Sequence, residues 1–181
     1  MADHVSVDQP VLAYLGPAGT FTEQALHSQT DLLDYTLTPT TSIPEVLRMV
    51  SDGRADFGFV AIENSIEGSV NITQDTLTFD TDLLIQREVV SKIELNLLAH
   101  AGVGLGDVEM VLSFPHAIAQ CRTWLAENLP EAATGAANST ADAARQVAED
   151  RPTATAAIAT SRAAQAYGLE ILVSDIEDHP E

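Results

Sequence analysis

The sequence has 181 residues, 45% of them hydrophobic, and carries 27 acidic against 8 basic side chains, a net charge of −19. This size and composition predict one ordinary domain or two small lobes with a real core, and they argue against intrinsic disorder. The negative charge argues against nucleic acid and anionic membrane as partners.

The cysteine count and the N-terminus narrow the class of protein further. The one cysteine, Cys121, rules out an internal disulfide and a cysteine-cluster metal site. It falls in an apolar helical pattern, so we interpret it as a buried structural thiol. The N-terminus lacks the basic and apolar regions of a secretory signal, and no stretch reaches the roughly 18 apolar residues of a membrane span. We therefore expect a cytoplasmic protein.

Predicted strands and helices alternate along the chain. The strands are short apolar runs bounded by turn residues, and the helices carry apolar residues at spacings of three and four. Predicted strands cover 11–15, 35–38, 55–62, 83–98, 108–112, 134–137, 155–159 and 169–173. This alternation predicts parallel α/β layers, with a loose segment at 1–10, a first lobe at 11–86 and a second lobe at 87–181.

Most predicted helices begin at a serine, threonine or asparagine directly after a strand. Thr20 and Ser42 each precede a glutamate by three residues, the spacing of a capping box. The other expected first turns lie at Ser69 or Asn71, Pro115, Ser139 and Thr160. Helix N-termini that gather at one sheet edge can hold an anion through N–H groups, even in an acidic protein, although any single cap is explained by its own helix.

A polar turn follows the predicted buried strand at 55–62 and precedes a helix, which is where open α/β sheets bind ligands. Glu63 at the end of a buried strand is a candidate acid or a group that orients donors, and Asn64 can hydrogen-bond a carboxylate or a hydroxyl. The turn also contains Gly68. Hydrogen bonds that only shape the loop explain these residues equally well.

A second candidate pair lies in the second half. If Ser113 caps the helix predicted from Pro115 to about Leu129, Ser113 and Gln120 are two turns apart on one face. A plain cap and a surface amide are an equal alternative. The histidines have no spacing that suggests a metal site, and the glycine-rich residues 16–19 match neither nucleotide-binding motif, so a nucleotide cofactor is not supported.

Several motifs together resemble prephenate dehydratase. The family's opening motif is similar to residues 14–22, Tyr-Leu-Gly-Pro-Ala-Gly-Thr-Phe-Thr. Its second motif is similar to Ile62-Glu63-Asn64-Ser65 followed by Gly68-Ser69-Val70, Thr73 and Asp75. Further similar stretches follow in the family's order at 113–121, 139–144, 156–159 and 167–169. The resemblance covers residue 11 to about 180.

The resemblance implies a two-lobed α/β fold like a type II periplasmic binding protein, with the active site in the interlobe cleft. It implies decarboxylating dehydration of prephenate to phenylpyruvate, in phenylalanine biosynthesis, with no cofactor. The catalytic residues that it implies are Glu63, Asn64, Ser113 and Gln120, and the substrate-binding residues are Thr20, Ser65 and Gly68.

Three departures from the family pattern change these expectations. Phe114 occupies a position at which the family often has histidine. Asn138 occupies a position at which the family often has glutamate, so any role of that glutamate carboxylate is lost or changed in this sequence. The family also has a Thr-Arg-Phe triplet after the segment equivalent to 176–178, and a phenylalanine-binding ACT domain. Neither is in the sequence, so we expect a truncated catalytic domain with little or no dehydratase activity.

A binding or sensing module for an aromatic or dicarboxylic acid is the alternative. The threonine of the missing triplet is the residue that the family credits with proton transfer. An assay for phenylpyruvate with a chain extended by about 25 residues therefore separates the dehydratase from the binding module. The predicted strands argue against a chorismate mutase of the common all-helical type.

The resemblance further implies a homodimer or homotetramer, prephenate as ligand, and phenylalanine as regulator only through the missing ACT domain.

Overall fold

The computed structural model of the chain describes residues 9–65, 68–150 and 154–179, so most of the predicted loose segment, residues 1–8, lies outside them. The strands in these ranges are β1 Val11–Leu15, β2 Thr36–Thr40, β3 Phe57–Phe59, β4 Glu63–Asn64, β5 Gly68–Ser69, β6 Asn96–Ala99, β7 Met110–Ser113, β8 Ala133–Ala136, β9 Thr155–Ala159 and β10 Glu170–Val173. The α-helices are α1 Phe21–His27, α2 Ile43–Ser51, α3 Asn71–Asp75, α4 Pro115–Gln120, α5 Arg122–Asn128, α6 Thr140–Asp150 and α7 Ser161–Tyr167. The alternation of strands and helices confirms the predicted α/β class.

The chain divides into two compact units. The first comprises Met1–Gly16 and Ala25–Val89, and the second comprises Pro17–Gln24 and Val90–Glu181. Residues 17–24, which the sequence assigns to the first lobe, therefore belong to the second unit. The reason is tertiary, because this segment hydrogen-bonds to residues of α7 and to the residue before it.

In the first unit, three parallel strands form a sheet in the order β2-β1-β3. Both faces of β1 are covered: Leu12 and Tyr14 belong to one buried cluster, and Ala13 belongs to another with Val46 of α2. This explains the uninterrupted apolar run, since a strand buried on both faces does not alternate. Strand β3 has three residues, fewer than the predicted 55–62, although Ala55 is buried as expected.

In the second unit, five strands form a sheet in the order β10-β6-β9-β7-β8. Strands β7, β8 and β9 are parallel, whereas β6 is antiparallel to both of its neighbours, β9 and β10. The sheet is therefore mixed, and the expectation of parallel layers is wrong at β6, which runs opposite to the other four strands.

The long strand predicted at 83–98 is wrong except for its end, β6 Asn96–Ala99. The stretch before β6 has no regular structure, and its large apolar side chains are exposed, Leu84 by 79% and Val90 by 89%. A loose alternation of apolar residues predicts a strand only when another strand is available to pair its backbone groups.

The helix predicted from Pro115 to Leu129 is two helices, α4 and α5, separated at Cys121. Cys121 has φ −110° and ψ 14°, outside the helical range, while its side chain is fully buried as predicted. Burial, with the nearby carboxylates of Asp178 and Glu177, raises the pKa of the Cys121 thiol to about 12. The thiol is therefore structural at neutral pH.

Several predicted helix caps are confirmed. The Ser42 hydroxyl accepts from the backbone N–H of Glu45 at 3.4 Å, and Ser139 accepts from Asp142 at 2.9 Å. In contrast, α3 begins after Val70, which makes no side-chain cap, so the prediction of Ser69 or Asn71 in that role is wrong. No helix in the described part of the chain is long and apolar enough to cross a membrane.

Candidate active site

The polar turn of the first unit is a small antiparallel hairpin formed by β4 and β5. Glu63 pairs with Ser69 and Asn64 pairs with Gly68, and the N–H of Val70 donates to the carbonyl of Ile62 at 2.9 Å. The sequence predicts a strand that leads through a turn into a helix, and this hairpin is a correction to that prediction. The structure describes neither residue 66 nor residue 67 at its tip.

The hairpin presents the predicted polar groups to the surroundings. Glu63 and Ser65 are exposed, and Asn64 is half-buried. Gly68 has φ +82°, a left-handed conformation that glycine adopts without the cost a Cβ atom would add. The four residues therefore stand where a ligand can reach a carboxylate, an amide and a hydroxyl.

Two buried threonines hold the segment that follows the hairpin. Thr73 is fully buried, and its hydroxyl donates to the carbonyl of Ala61 at 2.6 Å. Thr76 donates to the carbonyl of Ile72 at 2.7 Å, at the start of a π-helical turn, Thr76–Asp80. Ile72 is 49% exposed, whereas the two threonines are buried. Thr73 thus anchors the base of the hairpin to the helix behind it.

Thr20 begins α1 as predicted. Its hydroxyl accepts from the backbone N–H of Glu23 at 3.2 Å, which satisfies one of the free donors of the first helical turn. The Glu23 carboxylate accepts from the N–H of Gly19, one residue before the position expected for a capping box. Thr20 itself is half-buried, so its hydroxyl lies at the edge of the packed region.

Contacts distant in sequence fix the segment around Thr20 within the second unit. The Thr160 hydroxyl is fully buried and donates to the Gly19 carbonyl at 2.7 Å. The Tyr167 hydroxyl donates to the Ala18 carbonyl at 2.8 Å, and the Arg162 guanidinium donates to the Glu23 carboxylate at 3.2 Å. The Thr160 oxygen also caps α7 through the N–H of Ala163 at 2.9 Å. Hydrogen bonds to α7 and to the residue before it therefore tie this segment to the second unit.

Ser113 lies at the end of β7 and is fully buried. Its hydroxyl donates to the carbonyl of Ile158 at 2.7 Å, two residues before the Thr160 that holds Gly19. Ser113 and the residue before Thr20 are thus both hydrogen-bonded to residues at the carboxyl end of β9. Helices α4, α6 and α7 all begin at the carboxyl ends of the neighbouring parallel strands β7, β8 and β9.

Gln120 is the last residue of α4 and is half-buried. The cap of α4 is Phe114, not Ser113, and Ser113 belongs to a strand. The condition under which Ser113 and Gln120 share a helix face is therefore not met, and they stand at opposite ends of α4. Within the described ranges, no group of three histidine, cysteine or acidic side chains is placed to hold a metal ion.

Sequence reasoning missed two interactions in the second unit. One is the ion pair between Glu23 and Arg162, whose partners are 139 residues apart. The other is Asp178, whose carboxylate accepts from the N–H of Thr123 and Trp124 at the start of α5, again across more than 50 residues. The capping-box pattern drew attention to Glu23, but no local signal marks Arg162 or Asp178. Whether residues of the two units share one cleft stays a prediction.

Comparison with known proteins identifies a single family across the chain. A family model described as prephenate dehydratase matches residues 12–181. The prephenate dehydratase of Mycolicibacterium gilvum is 41% identical over 181 aligned residues, which cover 94% of this chain and 58% of that relative. The chain thus spans little more than half the length of this curated relative.

Solved structures agree with this result. The structure of prephenate dehydratase in complex with L-Phe from Arthrobacter aurescens is 40% identical with a TM-score of 0.86, over 94% of this chain and 56% of that one. A structure described as GqqA, a novel type of quorum-quenching acylase, is 30% identical with a TM-score of 0.82, over 93% and 60%. Proteins of this fold therefore include one to which a different activity is ascribed.

Proposed function

Because the chain belongs to the prephenate dehydratase family, we propose that it is the catalytic domain of an enzyme that converts prephenate to phenylpyruvate, carbon dioxide and water. The observation that carries the proposal is the family match over residues 12–181. The exposed hairpin that presents Glu63 and Asn64 supports it, because this is the stretch that resembles the family's second motif.

The reaction sets three demands on a protein. Loss of the ring carboxylate as carbon dioxide leaves an electron pair in the ring, the ring hydroxyl takes one proton and leaves as water, and the ring becomes aromatic. The protein has to hold a dianion, provide a proton to the leaving hydroxyl and keep bulk water away. None of these demands requires a cofactor.

In the first unit, the groups that we assign to the reaction are those of the hairpin. Glu63 contributes a carboxyl group that acts as an acid or orients a donor, and Asn64 contributes an amide that can donate to a substrate carboxylate. Ser65 adds a hydroxyl beside them. All three are accessible in the structure, and Gly68 gives the turn the conformation that places them.

In the second unit, we assign substrate contacts to Thr20 and Gln120, both half-buried. Ser113 differs from them, because its proton is already donated to the Ile158 carbonyl in a fully buried position. A contact between Ser113 and substrate requires that this hydrogen bond be exchanged. Its role in the proposed site is therefore to fix the end of β7, from which α4 and Gln120 follow.

The test measures binding and turnover separately. Prephenate is titrated calorimetrically into this chain, and phenylpyruvate formation is followed with the full gene product. We expect binding that weakens at least tenfold in Glu63→Ala and Asn64→Ala, because each removes a polar contact, whereas Asp34→Ala, which removes another exposed carboxylate of the same unit, leaves it unchanged.

The outcomes separate the dehydratase from its alternative. Phenylpyruvate formation by the full gene product supports the proposal. Binding of prephenate without any phenylpyruvate supports a non-catalytic binding or sensing module for an aromatic or dicarboxylic acid. Absence of both binding and turnover refutes the proposal. The assay has to detect phenylpyruvate itself, because GqqA, a protein of similar structure, is described as an acylase and ligand binding alone does not identify the reaction.

Location, assembly and regulation belong to the same proposal. The relatives are enzymes of aromatic amino-acid biosynthesis by name, which supports a cytoplasmic location, and the resemblance supports a homodimer or homotetramer. Cell fractionation and light scattering after gel filtration test these two points. For phenylalanine, which the Arthrobacter structure contains, we expect regulation through an ACT domain.

A further inference from the structure

The residues that follow β10 are tied to the second unit by a series of hydrogen bonds. Ile176 is 1% exposed, and its N–H donates to the Leu95 carbonyl at 2.9 Å. The Glu177 carboxylate accepts from the Leu95 N–H at 3.0 Å. Asp175 turns the chain with φ +54°, a left-handed value that is uncommon outside glycine. The segment 175–178 is therefore a defined part of the fold.

Asp178 joins the two helices that meet at Cys121. Its backbone N–H donates to the carbonyl of Gln120, the last residue of α4, at 2.7 Å. Its carboxylate accepts from the N–H of Thr123 at 2.9 Å and from that of Trp124 at 3.0 Å, in the first turn of α5. One residue therefore closes the end of α4 and the start of α5 together.

The helices need such a partner because the break at Cys121 leaves backbone groups without intrahelical bonds. The cap residue of α5 is Cys121 itself, which provides no side-chain cap. A carboxylate at a helix start satisfies two N–H groups and also interacts favourably with the helix dipole. Asp178 supplies this cap from more than 50 residues away in sequence.

We propose that Asp178 is a positioning residue for Gln120, fixing the end of α4 so that the Gln120 side chain is held in one orientation toward substrate. The inference rests on the proposed function, in which Gln120 contacts prephenate. The Gln120 carbonyl accepts from the Asp178 backbone N–H, and the Asp178 carboxylate fixes that N–H in place through its bonds to α5. Loss of the carboxylate releases Asp178 from α5 and thereby weakens its hold on the end of α4. A misplacement of about 1 Å in a positioned group is enough to reduce turnover roughly a hundredfold.

The first experiment compares Asp178→Ala and Asp178→Asn in the full gene product. We expect Asp178→Ala to lower kcat/KM by about ten- to a hundredfold at a temperature where the variant is folded. Asn still accepts from helix N–H groups, so Asp178→Asn is expected to keep kcat/KM within about threefold of the wild type. The control is Asp107→Ala, which removes a carboxylate that accepts from the Gly104 N–H at 2.9 Å before the start of β7 and is expected to lower the thermal midpoint without changing kcat/KM.

The second experiment is a double-mutant cycle that tests whether Asp178 acts through Gln120. In a Gln120→Ala background, Asp178→Ala is expected to change kcat/KM by less than about threefold, because the positioned side chain is already gone. Equal effects of Asp178→Ala in both backgrounds overturn the inference, as does a kcat/KM loss no larger than that of Asp107→Ala.

A readout that needs no turnover keeps the inference separate from the proposed function. The side-chain amide resonances of Gln120 are recorded by NMR in this chain for the wild type, Asp178→Asn and Asp178→Ala. We expect a shift or broadening in Asp178→Ala that Asp178→Asn restores. Unchanged Gln120 resonances in Asp178→Ala overturn the positioning role, whether or not the protein binds prephenate. If the resonances change as expected but the wild type shows no turnover, only the proposed function is contradicted.

Discussion

The hairpin of the first unit and the segment around Thr20 in the second are built in different ways. The hairpin pairs residues four to six positions apart in sequence and presents Glu63 and Asn64 on a largely exposed turn. The segment around Thr20 is held by partners 139 to 149 residues away, of which Thr160 is fully buried. Substitutions in the hairpin should therefore change binding more than stability, and substitutions around Thr20 should do the reverse.

The largest effect that this comparison predicts is that of Gly19→Ala. A Cβ atom there would lie 2.7 Å from the Cα of Ala163, and Gly19 has φ +87°. Backbone strain and overpacking together should cost about 2–5 kcal/mol of unfolding free energy, measured by urea denaturation. The matched control is Gly53→Ala, which has φ +69° but nothing within 4 Å of the added Cβ, so it should cost only about 1–2 kcal/mol. Equal costs would show that the contact with Ala163 does not matter.

A smaller difference in unfolding free energy is expected between Ser113→Ala and Glu63→Ala. Ser113→Ala leaves the buried Ile158 carbonyl without its side-chain donor and should cost about 1–2 kcal/mol of unfolding free energy. Glu63→Ala, at an exposed position, should change stability by less than about 0.5 kcal/mol while weakening prephenate binding. Chemical denaturation and calorimetry on the same two samples measure both quantities. If Glu63→Ala destabilises the chain as much as Ser113→Ala does, the contrast between the two regions fails.

The smallest effect concerns acid stability. A hydrogen bond from the Arg145 guanidinium, at 2.6 Å, lowers the pKa of Asp142 in the second unit, helped by Gln146 and the N–H of Asn138. A carboxyl whose pKa is lower in the folded state stabilises the fold above its unfolded pKa of about 4, and this stabilisation is lost as the pH falls through the folded value.

Thermal midpoints at pH 6 and pH 3 should therefore differ less in Asp142→Asn than in the wild type. In the first unit, the pKa of Asp31 is also lowered, mainly by a hydrogen bond from Arg87, but the carboxylate is exposed and screened by solvent. Asp31→Asn should accordingly follow the wild type more closely. A narrower pH difference in Asp31→Asn than in Asp142→Asn would contradict the assignment.

Sequence reasoning succeeded where the signal is local. Strands β1 and β9 have their predicted bounds, and Thr20, Ser42 and Thr160 cap their helices because a hydroxyl three residues before an N–H is a geometry that the sequence spacing specifies. It failed at residues 83–95, where apolar alternation predicts a strand but no neighbouring strand pairs with this stretch. It also failed to find the break at Cys121, since the apolar face continues unchanged through the break.

The sequence by itself determined the α/β class, most helix starts and, through motifs that resemble prephenate dehydratase, the residues to which function is assigned. These are properties of short stretches, in which neighbouring side chains and backbone groups satisfy one another. Only the tertiary structure decided that residues 17–24 belong to the second unit, that Ser113 donates to Ile158, and that Asp178 closes the gap between α4 and α5. Each of these depends on backbone groups that find their partners 45 or more residues away, and no local pattern in a single sequence encodes such a pairing.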